Sequence, residues 1–230
     1  MSKLFIYGDS FSDLNFCPGG IEYQWVRKLE NDYEVYNRSL SASGPEYSFR
    51  CLINDINIID NDSYCIFISS ESTRLYFKDL PPSMHCEASN VMHEHLKDFY
   101  AKVPEHMRKN IAITMSTLID DKFKYYDTLK YFLSICNISK LFKKIVFIPL
   151  DNLNLHALKK TVPSNVYFSS KGIKSVQSLE PEHEVYIKSR KQDFRTNHLN
   201  MENHKKMYNA LKQYFNKNDS KSLNSFLGIS

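Results

Sequence analysis

A serine at the end of a short apolar run is the residue of this sequence best suited to nucleophilic chemistry. The run Lys3–Tyr7 stops at Gly8-Asp9-Ser10, which predicts a buried strand whose carboxyl end presents Ser10. Ligands bind at that edge of open α/β sheets. Gly8 permits a tight exit from the strand, and the turn after it can expose the Ser10 hydroxyl beside free backbone N–H groups. The simplest alternative is that Asp9 and Ser10 only form a turn and cap a helix.

The Gly8-Asp9-Ser10 block, close to the start of a chain of 230 residues, resembles that of the SGNH (GDSL-type) serine hydrolases. The resemblance implies that Ser10 is the nucleophile. A second block, His198-x-Asn200-x-x-Asn203-His204, has spacing similar to the family's closing block and precedes a predicted helix. The resemblance then makes His198 the general base that takes the Ser10 proton and returns it to the leaving group. His204 is expected to face another part of that helix and to be structural.

The acidic partner of His198 departs from the family pattern. The family places an acid three residues before the histidine, where this chain has Arg195, and the nearest upstream carboxylate is Asp193. A loop that bulges by two residues would bring Asp193 to the Nδ1 atom of His198 and complete a triad. The alternatives are a Ser–His dyad, another carboxylate in the same role, or a His198 that is only a neighbour of the helix N-cap.

A developing oxyanion needs hydrogen-bond donors. The resemblance implies that these are the N–H of the serine, a glycine N–H after the second strand and an asparagine side chain after the third. Gly44 matches the glycine if the loop from Asn37 is longer than usual, and Ala42 matches it without a gap. Gly44 is the preferred match because the apolar face of the next helix then begins where packing requires it.

The third block is the largest departure from the family. After the third predicted strand the chain reads Ser69-Ser70-Glu71-Ser72-Thr73-Arg74, with neither glycine nor asparagine. Ser70 or Ser72 is the candidate third donor, and Arg74 would place positive charge near the pocket mouth, with Asp9 also assigned to the substrate-binding group. Loss of one such donor costs about 10²–10³ in rate, so the chain either has its own third donor or is impaired. The simplest alternative for Glu71 and Arg74 is a solvated surface pair.

Apolar segments of strand length alternate with helical patterns along the chain. The predicted strands are Lys3–Tyr7, Glu34–Asn37, Ser63–Ser70, Lys144–Leu150 and Asn165–Phe168, and the predicted helices are Ile21–Leu29, Glu46–Ile59, most of 84–143, and Asn200–Phe215. This alternation implies a parallel sheet with right-handed crossovers. Residues 1–216 are therefore expected to form one three-layer α/β/α domain, with 84–143 as a mostly helical insertion and 217–230 as a polar, loosely docked tail. Its five strands suit the flavodoxin-like order 2-1-3-4-5, which is also the SGNH architecture.

Composition excludes several other classes of protein. A net charge of +4, with charges of both signs mixed along the chain, argues against a nucleic-acid partner. Five cysteines without Cys-x-x-Cys spacing, and no signal-peptide pattern, predict a cytoplasmic protein without disulfides. No apolar stretch approaches the roughly 18 residues that suggest a membrane span.

Two further patterns are too weak to indicate a bound group. His93 and His95, with His85 and His106 nearby, are metal-like in composition. On a helix, however, His93 and His95 would point in different directions, so no metal site is predicted. The chain has no glycine-rich phosphate loop, and no cofactor is predicted.

The resemblance thus implies a serine esterase that cleaves an O-acyl group from a carbohydrate or a lipid through an acyl-enzyme on Ser10. The expected partner is a small-molecule or glycan ester, and nothing in the sequence indicates an oligomeric state. The alternative is a module of the same fold that binds carbohydrate or has a structural role. The altered third block and the displaced acid favour that alternative, whereas the retained Ser10 and His198 oppose it.

Overall fold

The protein is described by a computed structural model that covers residues 1–15, 22, 24–75, 107–108, 110, 113, 117, 120–153, 161–176, 199 and 201–229. Its strands are β1 (Lys3–Tyr7), β2 (Glu34–Asn37), β3 (Tyr64–Ser69), β4 (Lys144–Pro149) and β5 (Val166–Phe168). Its helices are α1 (Trp25–Leu29), α2 (Pro45–Asp55), α3 (Asp121–Ile138), α4 (Met201–Lys217) and α5 (Ser220–Phe226), and short 3₁₀ turns cover Ser139–Leu141 and Ile173–Val176.

The described strands form one parallel sheet in the order β2-β1-β3-β4-β5. The α/β class, the parallel pairing and the strand order predicted from the sequence are therefore confirmed. Helix bounds differ from the prediction: α1 begins at Trp25 rather than at Ile21, and α2 ends at Asp55 rather than at Ile59. Most of the predicted insertion at 84–143 lies outside the described residues.

The two faces of the sheet differ in composition. Leu4 and Ile6 of β1 pack on the side of α1, α4 and α5, whereas Phe5 and Tyr7 pack on the side of α2 and α3. The first face is mostly aliphatic. The second is rich in aromatic rings, and there Phe67 stacks on Phe147 with ring centroids 5.7 Å apart. Burial of both faces explains why the strands are continuous apolar runs in the sequence.

The loops that follow the parallel strands all leave the same edge of the sheet. The loop after β1 contains Asp9 and Ser10, and the loop after β2 contains Gly44. The loop after β3 contains Ser70 and Arg74. The fold therefore brings the predicted site residues of the described chain to one edge.

The C-terminal residues correct the prediction of a loosely docked tail. Asp219 accepts the Lys221 N–H and caps α5. Leu223 and Leu227 lie on one helical face and are 0% and 1% exposed. Phe226 packs against the same buried cluster. The preceding polar residues hid this helix, because three apolar residues within little more than one turn are a weak periodic signal.

His204 lies on α4, buried against the start of α1, which agrees with its predicted structural role. Its Nδ1 atom accepts the Trp25 N–H at 3.5 Å. Burial lowers the pKa of the imidazole to about 4, and the charge of Lys28 contributes further.

The buried imidazole predicts a loss of stability on the acid side. The unfolded ring titrates near pH 6.5 and the folded ring near pH 4, so the unfolded chain binds the proton first as the pH falls. The neutral ring's contribution is complete above about pH 6.5 and decreases by about 3 kcal/mol by pH 4. Urea denaturation at pH 7 and at about pH 4.5 should show most of this loss in the wild type and not in His204→Gln. Equal losses in the two proteins would contradict a buried neutral His204.

Candidate active site

The turn that follows β1 is organised by Asp9. The Asp9 carbonyl accepts the N–H groups of Ser12 and Asp13 at 3.0 and 2.9 Å. The Asp9 carboxylate accepts the Phe11 N–H at 3.2 Å. These bonds wind the chain into one helical turn directly after the strand. The turn that the sequence allowed for Asp9 is present, although the described residues that follow it to Asn15 form no helix. The turn's hydrogen bonds do not involve Ser10.

Ser10 is 8% exposed, so it is less open than the exposed turn expected from the sequence. Within the described part of the chain, neither its hydroxyl nor its backbone N–H has a hydrogen-bond partner. A nucleophile needs an available hydroxyl, and an oxyanion needs an available N–H. Ser10 offers both groups at one position.

Arg74 links the loops that follow β1, β2 and β3. Its Nη1 atom donates to Asp9 Oδ2 at 2.8 Å and to the Ser43 carbonyl at 3.4 Å. Its Nε atom lies 3.6 Å from a carboxylate oxygen of Glu71. The solvated Glu71–Arg74 surface pair is therefore wrong for Arg74, whose side chain is 13% exposed and whose nearest partner is Asp9.

The Asp9–Arg74 ion pair is shielded from solvent. Burial raises the pKa of the Asp9 carboxyl, while the Arg74 guanidinium and the Phe11 N–H oppose that rise. Removing one partner of such a buried pair typically costs about 3–5 kcal/mol, because the other charge is left uncompensated. Arg74 thus holds the Ser10 turn in place.

Gly44 contacts the third loop too closely for any side chain. A Cβ atom at Gly44 would overlap the carbonyl oxygen of Arg74. Gly44 is the N-cap of α2, and Pro45 follows it. Its N–H has no hydrogen-bond acceptor among the described residues. This N–H therefore lies at the positive end of the helix dipole and is available to a ligand anion.

A position favours glycine when a side chain would clash there or when its backbone is left-handed. In the loop after β2, these two conditions occur at different residues. Gly44 has an ordinary extended backbone, with φ of −88°. Ala42 has φ of 67°, in the left-handed region that favours glycine. Close packing, not backbone conformation, requires glycine at position 44. The oxyanion role of Gly44 stays a prediction.

The loop after β3 distinguishes the two candidate hydroxyls. The Ser72 hydroxyl pairs with Thr128 Oγ1 at 2.9 Å and lies 3.3 Å from the Lys124 carbonyl, so it is engaged with α3. Ser70 is 2% exposed, and its hydroxyl has no hydrogen-bond partner in the described residues. A buried polar group without a partner costs about 1–3 kcal/mol. Ser70 is therefore the better candidate for a third donor.

Asp13 is a residue of the site that sequence reasoning missed. Its Oδ2 atom accepts the Ser41 N–H at 2.8 Å, and its Oδ1 atom accepts the Asn15 N–H at 2.9 Å. These bonds tie the loop after β1 to the loop after β2. The available signal was the presence of two carboxylates, Asp9 and Asp13, on either side of Ser10 in a single turn.

The predicted proton relay lies outside the described residues, because these include neither Asp193 nor His198. Leu199, which follows His198, is 4% exposed and belongs to the same buried cluster as Phe11, which follows Ser10. The histidines suggested by composition as metal-like also lie outside the described residues: His85, His93, His95 and His106.

Three features of the described residues concern metal binding, membrane crossing and disulfide bonding. Within the described ranges, no three His, Cys, Asp or Glu side chains come together as a metal site would require. No helix in this part of the chain is long and apolar enough to cross a membrane. Among the cysteines that the structure describes, Cys51, Cys65 and Cys136 have free thiols.

No protein-family model matches this chain, and no curated protein matches it either. The likeness to the SGNH hydrolases therefore depends on the Ser10 block, the His198 block and the strand order. Fold alone does not assign activity. The function therefore depends on the chemistry of the residues at the site.

Proposed function

We propose that the protein is an SGNH-like serine esterase that hydrolyses an O-acyl ester through an acyl-enzyme on Ser10. The observation that carries the proposal is that two polar groups of Ser10 are available to a substrate. Its hydroxyl and its N–H are both without partners among the described residues, at the carboxyl edge of the sheet. The turn that bears it is tied to the loops of Gly44 and Ser70 through Arg74.

In the proposed mechanism, His198 removes the proton from the Ser10 hydroxyl as its oxygen attacks the ester carbonyl carbon. The N–H groups of Ser10 and Gly44 and the hydroxyl of Ser70 donate to the resulting oxyanion. The tetrahedral intermediate collapses, and the alcohol oxygen leaves with the proton that His198 returns. His198 then deprotonates a water that attacks the acyl-enzyme, which releases the carboxylic acid and restores Ser10.

The Asp9–Arg74 pair supports this mechanism electrostatically. An unpaired carboxylate beside Ser10 would oppose the negative charge that develops on the substrate oxygen. Arg74 lies 2.8 Å from Asp9 and compensates that charge. The turn can therefore contain an aspartate next to the nucleophile without repelling the oxyanion.

The second candidate function is a module of the same fold that binds carbohydrate without cleaving it. Arg195 at the family's acid position, and the absence of asparagine after β3, favour this candidate. Such a module would retain the fold but not a reactive serine.

Reaction with a fluorophosphonate distinguishes the two functions. Ser10 should displace fluoride from phosphorus and form one covalent Ser–O–P bond, found by intact mass and peptide mapping. The labelling rate should rise through a single ionisation near pH 6.5, because only neutral His198 can accept the proton. Labelling at another residue, or a rate independent of pH between 5 and 8, would contradict the proposed esterase.

A further inference from the structure

We propose that a cleft beside Ser70 binds the alcohol portion of the ester and that this alcohol is a neutral sugar. The term "ester" rests on the proposed function. The binding site itself rests on the cleft and its lining, and it is tested by binding alone.

The cleft lies at the correct edge of the sheet for this role. It has a volume of about 580 Å³, within the range of about 300–1,000 Å³ that is usual for small-molecule sites. The loops after β3 and β4 and the first half of α3 form its walls. Because β3 pairs directly with β1, the loop after β3 leaves the sheet beside the Ser10 turn.

The polar lining favours a ligand that both donates and accepts hydrogen bonds. Ser70, Thr128 and Asn152 contribute hydroxyl and amide groups. Glu71 and Asp151 contribute negative charges and Lys124 a positive one, and Glu71 also lies 3.6 Å from the Arg74 guanidinium. The two carboxylates disfavour an anionic ligand, and Lys124 opposes a cationic one. A lipid chain would remove the charged groups of the lining from water and leave the Ser70 hydroxyl unpaired, which is costly. A sugar offers a hydroxyl at nearly every carbon.

The apolar part of the lining matches the other surface of a sugar ring. Tyr125 contributes an aromatic side chain, and Leu150 and Leu153 contribute apolar surface. Pyranose rings have C–H faces between their hydroxyl edges. A mixed aromatic, aliphatic and hydroxyl lining therefore complements a sugar better than a fatty chain or a strongly charged alcohol.

Ser70 is an independent indication of a ligand. It is 2% exposed, lines the cleft, and its hydroxyl has no hydrogen-bond partner among the described residues. The neighbouring hydroxyls of Ser72 and Thr128 satisfy each other at 2.9 Å. A bound ligand that reaches the Ser70 hydroxyl would remove the penalty of leaving it unpaired.

The test measures sugar binding to the Ser10→Ala protein, so that binding is observed without the proposed nucleophile. Saturation-transfer NMR with methyl β-glucoside, methyl β-galactoside and methyl N-acetyl-β-glucosaminide should detect binding of at least one of them. Tyr125→Leu should weaken it about fivefold, by loss of the aromatic face. Leu133→Ala is the control, since Leu133 lies on the same helix, is 41% exposed and does not line the cleft.

Ser70→Ala provides a second variant that is not expected to unfold the protein. Removing an unpaired buried hydroxyl should leave the melting temperature unchanged or raise it, while sugar binding weakens. No binding of any of the three glycosides, or equal losses in Tyr125→Leu and Leu133→Ala, would overturn the proposal. Sugar binding by a protein whose Ser10 does not react with a fluorophosphonate would leave the sugar site standing and reject the esterase.

Discussion

Ester hydrolysis by the Ser10→Ala protein should be lower than that of the wild type by a factor on the order of 10³–10⁶. The substitution removes the oxygen that forms the acyl-enzyme in the proposed mechanism, and water at the same place lacks the orientation that the turn gives to Ser10. The rates to compare are kcat/KM values for p-nitrophenyl acetate. Activity of the variant equal to that of the wild type would reject Ser10 as the nucleophile.

The same turn provides a matched control for this prediction. The Ser12 hydroxyl makes only a long hydrogen bond, 3.4 Å, to the Asp9 carbonyl. Ser12→Ala should therefore keep the rate within a few-fold of the wild type. Neither variant should unfold. The Ser10 hydroxyl has no partner to lose among the described residues, and the Ser12 hydroxyl loses only its long bond to Asp9. Thermal denaturation of both proteins separates a chemical effect from a folding effect.

The fold was predictable because its signals are local. Each strand is a short apolar run bounded by polar residues, and the runs alternate with helical periodicity, which implies parallel strands and a single active edge. The sequence did not reveal α5, because its apolar residues Leu223, Phe226 and Leu227 span little more than one helical turn after a polar stretch. The predicted end of α2 was also wrong. Residues 56–58 continue the apolar pattern of the helix, but they form turns after it ends at Asp55.

The part of the site formed by a single short segment could be predicted from the sequence. Gly8-Asp9-Ser10 lies in a single turn, and its place at the strand end follows from the apolar run before it. The partner of Arg74 was not predictable, because Asp9 lies 65 residues away and only the adjacent strands β1 and β3 bring the two together. The choice of Ser70 over Ser72 likewise depends on α3, whose Thr128 engages the second hydroxyl.

The carboxylates beside Ser10 bear on the question of which acid orients His198. The Asp9 carboxylate already accepts from Arg74 and from the Phe11 N–H. The Asp13 carboxylate accepts from Ser41 and from Asn15. These bonds fix both carboxylates within the turn and its neighbouring loops. Asp193 therefore stays the proposed orienting acid.

Asp193→Asn should lower kcat by about 10²–10⁴, because an amide can stabilise the wrong imidazole tautomer and leaves the imidazolium without its counter-charge. Arg195→Ala should change kcat by no more than a few-fold, because a guanidinium has no acceptor for an imidazole N–H. The opposite ranking of the two variants would place Arg195 at the ring and make Asp193 a bystander. A cation there would oppose the protonation that His198 must undergo, and would shift the acid limb of the pH–rate profile to lower pH. Measuring kcat for both variants across pH 5 to 8 tests the ranking and the acid side of the pH–rate profile together, with Ser10→Ala as the baseline for hydrolysis that does not use Ser10.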